Sequence, residues 1–157
     1  MKRSLRARAS AVVQAPPDAV FAFLSDLRNH WRLASRNVRI VELDGDASSG
    51  GGRVVLHGPL GISRVAQTRI TQAVAPTKSV GGVVEGTAAT PHGTSLRVAW
   101  NVSALPAGTQ VVLELTVERA RMLDRLLLVA GGRRWLERRL LGRAVADLAD
   151  TVSSQRR

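Results

Sequence analysis

Across residues 38–117, apolar and polar residues alternate in short runs broken by turn signals. No helix-period segment in that stretch is long enough to carry the chain back over a sheet. Strands joined in this way pair with reversed neighbours, because a parallel pair needs a crossover of a dozen or more residues. The pattern therefore demands an antiparallel sheet. Residues 38–43, 53–58, 64–74 and 79–87 read as strands, separated by a glycine-rich turn at 44–52, by Gly58-Pro59-Leu60-Gly61 and by Ala75-Pro76-Thr77. Two more show the alternation cleanly. Leu96, Val98, Trp100 and Val102 oppose Arg97, Ala99, Asn101 and Ser103. After Pro106-Ala107-Gly108, Val111, Leu113, Leu115 and Val117 oppose Val112, Glu114, Thr116 and Glu118.

Ahead of this block, Leu5, Ala7, Ala9, Ala11 and Val13 share one phase against Arg6, Arg8, Ser10 and Gln14, the mark of a half-buried strand. Pro16-Pro17-Asp18 ends it and starts a helix: proline suits the first helical position, and a carboxylate suits the positive end of the dipole. Val20, Phe23, Leu24 and Leu27 form its buried stripe, and a second short helix or turn over residues 27–34 carries His30 and Trp31. Beyond the sheet, residues 122–130 make a short helical segment. Gly131-Gly132 interrupts it, and a main helix runs from about residue 133 to 152. There Leu140, Leu141, Ala144, Val145, Leu148 and Val152 occupy one arc, opposite Arg139, Arg143, Asp147 and Asp150.

The expected fold class is α+β, with all 157 residues in one domain. A curved antiparallel sheet of about seven strands wraps around the long C-terminal helix, and two short helices follow the first strand. A curved sheet and a straight helix cannot match along their whole length, which leaves an apolar pocket between them. Inward strand residues Leu96, Val98, Trp100, Leu113 and Leu115 and helix residues Leu141, Ala144, Val145 and Leu148 are its expected lining.

Composition removes several function classes. Cysteine is absent, which excludes disulfides, thiolate catalysis and thiolate metal sites, and tyrosine is absent as a phenolic acid. The net charge is +11, and all but Lys2 and Lys78 of the 23 basic residues are arginine. With only three Trp and two Phe to stack on bases, and no nucleic-acid motif, this charge implies weak, salt-labile adsorption to DNA or RNA rather than specific recognition. No apolar run approaches the ~20 residues of a membrane span. The basic start is not followed by an apolar signal region, so a cytoplasmic location is expected.

Three stretches, VVQAPPDAVFAFLSDLRNHWRLA, SLRVAWNVSALPAGTQVVLELTVE and RRWLERRLLGRAVADLADTV, resemble the START-like, or SRPBCC, superfamily of helix-grip proteins. That superfamily includes polyketide cyclase/dehydrase-like proteins and the birch pollen allergen. The resemblance implies a cavity for apolar or amphipathic ligands such as lipids, quinones, sterols or polyketides. It brings no universal catalytic residue and no cofactor. The loop at 45–52 lies where the allergen relatives also carry a glycine-rich loop. It lacks a Lys-Ser/Thr ending and opens no helix, so it reads as a hairpin turn and not a phosphate cradle.

Candidate chemistry is sparse. His30, His57 and His92 are isolated, with no metal-ligand spacing, so no metal is expected. His30 either holds a polar ligand group at the pocket mouth or packs at a helix end, and the other two face solvent. Glu137 falls within the apolar arc of the last helix, where desolvation would raise its pKa and make it a general base. The competing reading places it beyond the sheet's cover or pairs it with Arg133 or Arg134. Thr68 and Thr87 offer hydroxyls. Arg133, Arg134, Trp135 and Arg138, with the apolar run at 126–129, form a patch suited to peripheral contact with anionic lipid, against a plainly solvated helix face. The leading expectation is non-catalytic binding or transport of a small hydrophobic or amphipathic ligand. The alternatives are an aromatase/cyclase-type enzyme using Glu137 or His30, and a membrane-associated handler of lipid or quinone.

Overall fold

The computed structural model describes residues 5–33, 38–45, 50–57, 61–127, 134, 137–138 and 142–154. Strands β1 (Leu5–Val13), β2 (Val38–Asp44), β3 (Gly51–His57), β4 (Ser63–Val74), β5 (Gly82–Ala89), β6 (Ser95–Leu105) and β7 (Gly108–Arg119) form one antiparallel sheet in the order β1-β7-β6-β5-β4-β3-β2. Strands β1 and β2 therefore stand at opposite edges, and the link between them must traverse the sheet. Helices α1 (Pro17–Leu24) and α2 (Leu27–Leu33) make that crossing, with α1 against β5, β6 and β7 and α2 reaching β2. After β7 come α3 (Met122–Leu127) and α4 (Gly142–Ser154), and α4 packs chiefly on β1 with α2 alongside.

The alternation read from the sequence becomes a two-faced sheet. On β7, Val111, Leu113, Leu115 and Val117 are all buried. The outer face carries cross-strand ion pairs: Arg8 with Glu114 at 3.6 Å, and Arg97 with Glu85 at 3.3 Å and Glu118 at 3.4 Å. At this exposure such pairs contribute little stability, but they show which face is solvated. Register shifts at Ile40/Glu42, Ile70/Gln72 and Ser95/Leu96 add the local bends that curve the sheet.

The turn between α1 and α2 shows local chemistry closing a helix end. The Phe21 carbonyl accepts the Ser25 N–H at 2.8 Å, the later carbonyls of α1 lack intrahelical partners, and side chains of the following segment bond this whole end. Ser25 Oγ donates to the Phe21 carbonyl at 2.8 Å, Asn29 Nδ2 donates to Phe23 at 2.9 Å, and His30 Nε2 meets Leu24. Val20 and Leu24 on the inward stripe are fully buried. At the other end of β1, Thr109 is fully buried and its Oγ1 donates to the Ala15 carbonyl at 2.6 Å. The preceding Gly108 has φ +143, and a Cβ there would lie 2.4 Å from the Val13 carbonyl oxygen. Only glycine lets the β6–β7 hairpin approach β1 so closely.

One strand start differs from the sequence reading by more than two residues. The strand expected from residue 79 begins at Gly82, because the Val80 N–H is captured by Thr77 Oγ1 at 3.0 Å and holds the chain in a turn. Of the main helix expected from about residue 133, the described residues are Arg134, which is helical, Glu137 and Arg138, in a π-helical turn, and α4 from Gly142. Arg133, Trp135, Leu141, Gly131-Gly132 and residues 46–49 of the glycine-rich loop lie outside the described residues.

Candidate functional site

The described residues of the expected lining pack in one apolar cluster, and Leu141 lies outside the described residues. Trp100, Leu113, Leu115, Ala144, Val145 and Leu148 are buried within it, and Leu96 and Val98 pack partly buried at its margin. On the sheet, Trp100 is flanked by Leu113 on β7 and Val84 on β5, and Val98 pairs with Leu115. Leu96 also touches a second, smaller cluster of Val38, Val54, Ala66 and Ala88.

Trp100 is the chemically distinctive member. It is 3% exposed, and its Nε1–H is buried with no hydrogen-bond acceptor among the described residues. A donor left unmade in such surroundings costs about 1–3 kcal/mol relative to one that is satisfied. The His30 ring stands beside it, centroids 5.8 Å apart and tilted by 53°.

His30 is a packing residue of the α1–α2 junction. Its Nε2 faces the Leu24 carbonyl, which only accepts, so the proton resides on Nε2 and the lone pair on Nδ1. Burial disfavours the imidazolium and lowers the pKa from 6.5 to about 4, against smaller opposing pulls from the Leu24 carbonyl and Asp26. The ring is therefore neutral at neutral pH and a feeble base.

The other candidates fall on different elements. Glu137 is partly buried in its π-helical turn, and Arg134 and Arg138 are exposed. Thr68 is buried, whereas Thr87 falls between Arg69 and Arg97 in the outward phase of β5. His57 and His92 are exposed; His57 Nδ1 lies 2.8 Å from Ser63 Oγ. Among the described residues, no three His, Cys, Asp or Glu side chains gather as a metal site, and no helix is long and apolar enough to cross a membrane.

An open cleft of about 400 Å³ lies between α2 and α4, a place the sequence reading did not single out. Phe23 and Leu33 form its apolar wall, and Asn29, Arg32, Asp147, Asp150 and Thr151 its polar rim. The same Phe23 and Leu33 pack in the cluster that holds Trp100, so cleft and apolar interior are contiguous. The helical wheel of the last helix places Asp147 and Asp150 on its polar arc; nothing in their spacing shows that this arc meets α2.

A family model described as polyketide cyclase / dehydrase and lipid transport matches residues 4–153. The chain belongs to this family. No curated protein matches it by sequence. Among solved structures, TTHA0849 from Thermus thermophilus is 18% identical, with a TM-score of 0.66 over 96% of this chain and 99% of that one. The KanY protein is 16% identical with a TM-score of 0.70, over 96% and 98%. The ZhuI aromatase/cyclase from Streptomyces sp. R1128 is 23% identical with a TM-score of 0.60, over 98% and 93%. These likenesses establish a helix-grip fold for this polyketide cyclase / dehydrase and lipid transport family member, and at such identities they establish the fold alone.

Proposed function

We propose that this protein binds and carries a small apolar or amphipathic molecule without chemically changing it. The apolar part of the ligand is held by Trp100, Leu113, Leu115, Ala144, Val145 and Leu148, with Leu96 and Val98 at the margin. Its polar end lies toward Arg32 and Asn29 in the α2–α4 cleft. The observation that carries this reading is the buried Trp100 indole N–H without an acceptor among the described residues. A ligand oxygen placed there satisfies the donor and relieves its cost, so a carbonyl-bearing ligand gains over a pure hydrocarbon.

An aromatase/cyclase activity, the one named for ZhuI, needs a titratable group poised against the ligand. His30, held near 4, is neutral at working pH, and Glu137 is the remaining candidate. The exposed Arg134 and Arg138 favour a second reading in which the ligand is collected at an anionic membrane.

The test compares 2-methyl-1,4-naphthoquinone with 2-methylnaphthalene by calorimetry and by following the indole N–H resonances, the Trp100 signal being the one missing in Trp100→Phe. The quinone should move that signal downfield, and its affinity should fall about 5–10-fold more than that of the hydrocarbon in Trp100→Phe. Failure of both molecules to bind, or an unmoved indole signal with the quinone bound, overturns the reading.

A further inference from the structure

We propose that α3 is a docking surface for an anionic lipid membrane. This deepens the second reading above and does not depend on what the interior binds. Most surface helices bury their apolar side; α3 is mounted the other way round. Asp124 turns inward, with 17% of its side chain exposed. It accepts the Thr94 hydroxyl at 2.6 Å and pairs with Arg64 at 3.5 Å. Thr94 Oγ1 in turn accepts the Arg121 N–H at 3.3 Å, which ties the start of the helix to the β5–β6 hairpin. At 3.6 residues per turn, the face opposite Asp124 consists of Met122 and Leu126. These are 81% and 58% exposed, and the flanking Leu123 is 56% exposed. A polar anchor thus points an apolar ridge into solvent.

The charge around that ridge identifies the occupant. Arg119, Arg121 and Arg125 are exposed within or beside the helix. The two acidic side chains of this stretch are committed elsewhere, Glu118 to Arg97 and Asp124 to Arg64. An apolar ridge bordered by arginines matches the acyl–headgroup boundary of a negatively charged leaflet, where apolar side chains insert and each cation adds electrostatic attraction. A second copy of this chain would bring the same arginines against themselves, which the charge pattern opposes.

Co-sedimentation with phosphatidylcholine vesicles containing about 30% phosphatidylglycerol tests this, with pure phosphatidylcholine as the control. The wild-type protein should bind the anionic vesicles. Met122→Ser combined with Leu126→Ser should weaken binding at least roughly tenfold while leaving the melting temperature unchanged, since both side chains already lie in water. Arg121→Gln and Arg125→Gln should each weaken it by about fivefold, less as salt is raised. Absence of wild-type binding overturns the membrane reading altogether. Wild-type binding that survives the double serine variant overturns the assignment to α3 alone. A wild-type dimer in sedimentation velocity that the double serine variant dissolves, with no vesicle binding, overturns the membrane and makes a second copy the occupant.

Discussion

Acid should loosen this fold through one imidazole. In the folded protein His30 has a pKa of about 4, because burial at the α1–α2 junction disfavours its charged form; in the unfolded chain it returns to 6.5. Between these values the unfolded state binds more protons than the native one, so stability rises with pH across that window and is flat in this group's contribution above 6.5. Followed downward in pH, the loss begins near 6.5, reaches about 2 kcal/mol at about pH 5, and levels at about 3.4 kcal/mol below the folded pKa. This is a large share of the roughly 5–15 kcal/mol that holds a domain together. Urea unfolding of the wild type and of His30→Gln, at about half-unit steps from pH 7 to pH 4, isolates the effect. Glutamine can still donate to the Leu24 carbonyl but does not titrate in this range. Carboxylates shared by both proteins cancel in the difference, which should narrow by about 2–3 kcal/mol on acidification. Parallel pH profiles for the two proteins would refute the burial argument, since a ring open to water has no reason to resist protonation.

Other expectations follow from the same packing. Leu148 is fully buried in the cluster shared by α4 and the sheet. Leu148→Ala should cost about 2–5 kcal/mol in chemical denaturation, and Leu148→Asp should leave little folded protein by circular dichroism. Gly108→Ala forces a Cβ against the Val13 carbonyl at a φ that L-residues avoid. It should cost about 2–4 kcal/mol, and a melting temperature within a degree or so of the parent would contradict the close approach of the β6–β7 hairpin. With a net charge of +11, the protein should adsorb to DNA weakly and without sequence preference. Fluorescence anisotropy should show that affinity collapsing between about 50 and 200 mM salt, and selective binding at the higher salt would contradict an adsorption driven by counterion release alone.

Periods of two and of 3.6 residues are written locally, and what they control was legible in the chain. The shared phase of Leu113, Leu115 and Val117 declares an inner face whatever lies opposite. Pro17 and Asp18 start α1 by chemistry confined to one turn. Without helical crossovers between strands, the antiparallel order follows as well. The apolar side of the candidate site was readable for the same reason: Trp100 and Leu148 each announce a buried face, and two such faces in one small domain pack together.

What the chain could not announce is everything that depends on partners distant in sequence. Thr109 is an ordinary strand threonine until its hydroxyl meets Ala15, 94 residues earlier. The sequence reading did not single out Asp124; its partners Thr94 and Arg64, 30 and 60 residues back, turn it inward and thereby turn Met122 and Leu126 outward. The α2–α4 cleft exists because two polar helix faces were brought together across more than a hundred residues. His30 and Trp100 carry no spacing that relates them, yet the fold sets their rings 5.8 Å apart, beside an indole N–H that has no acceptor among the described residues. Periodicity tells a side chain whether to be buried. Only the tertiary structure decides against what, and hydrogen bonding and desolvation depend on that neighbour and not on the pattern.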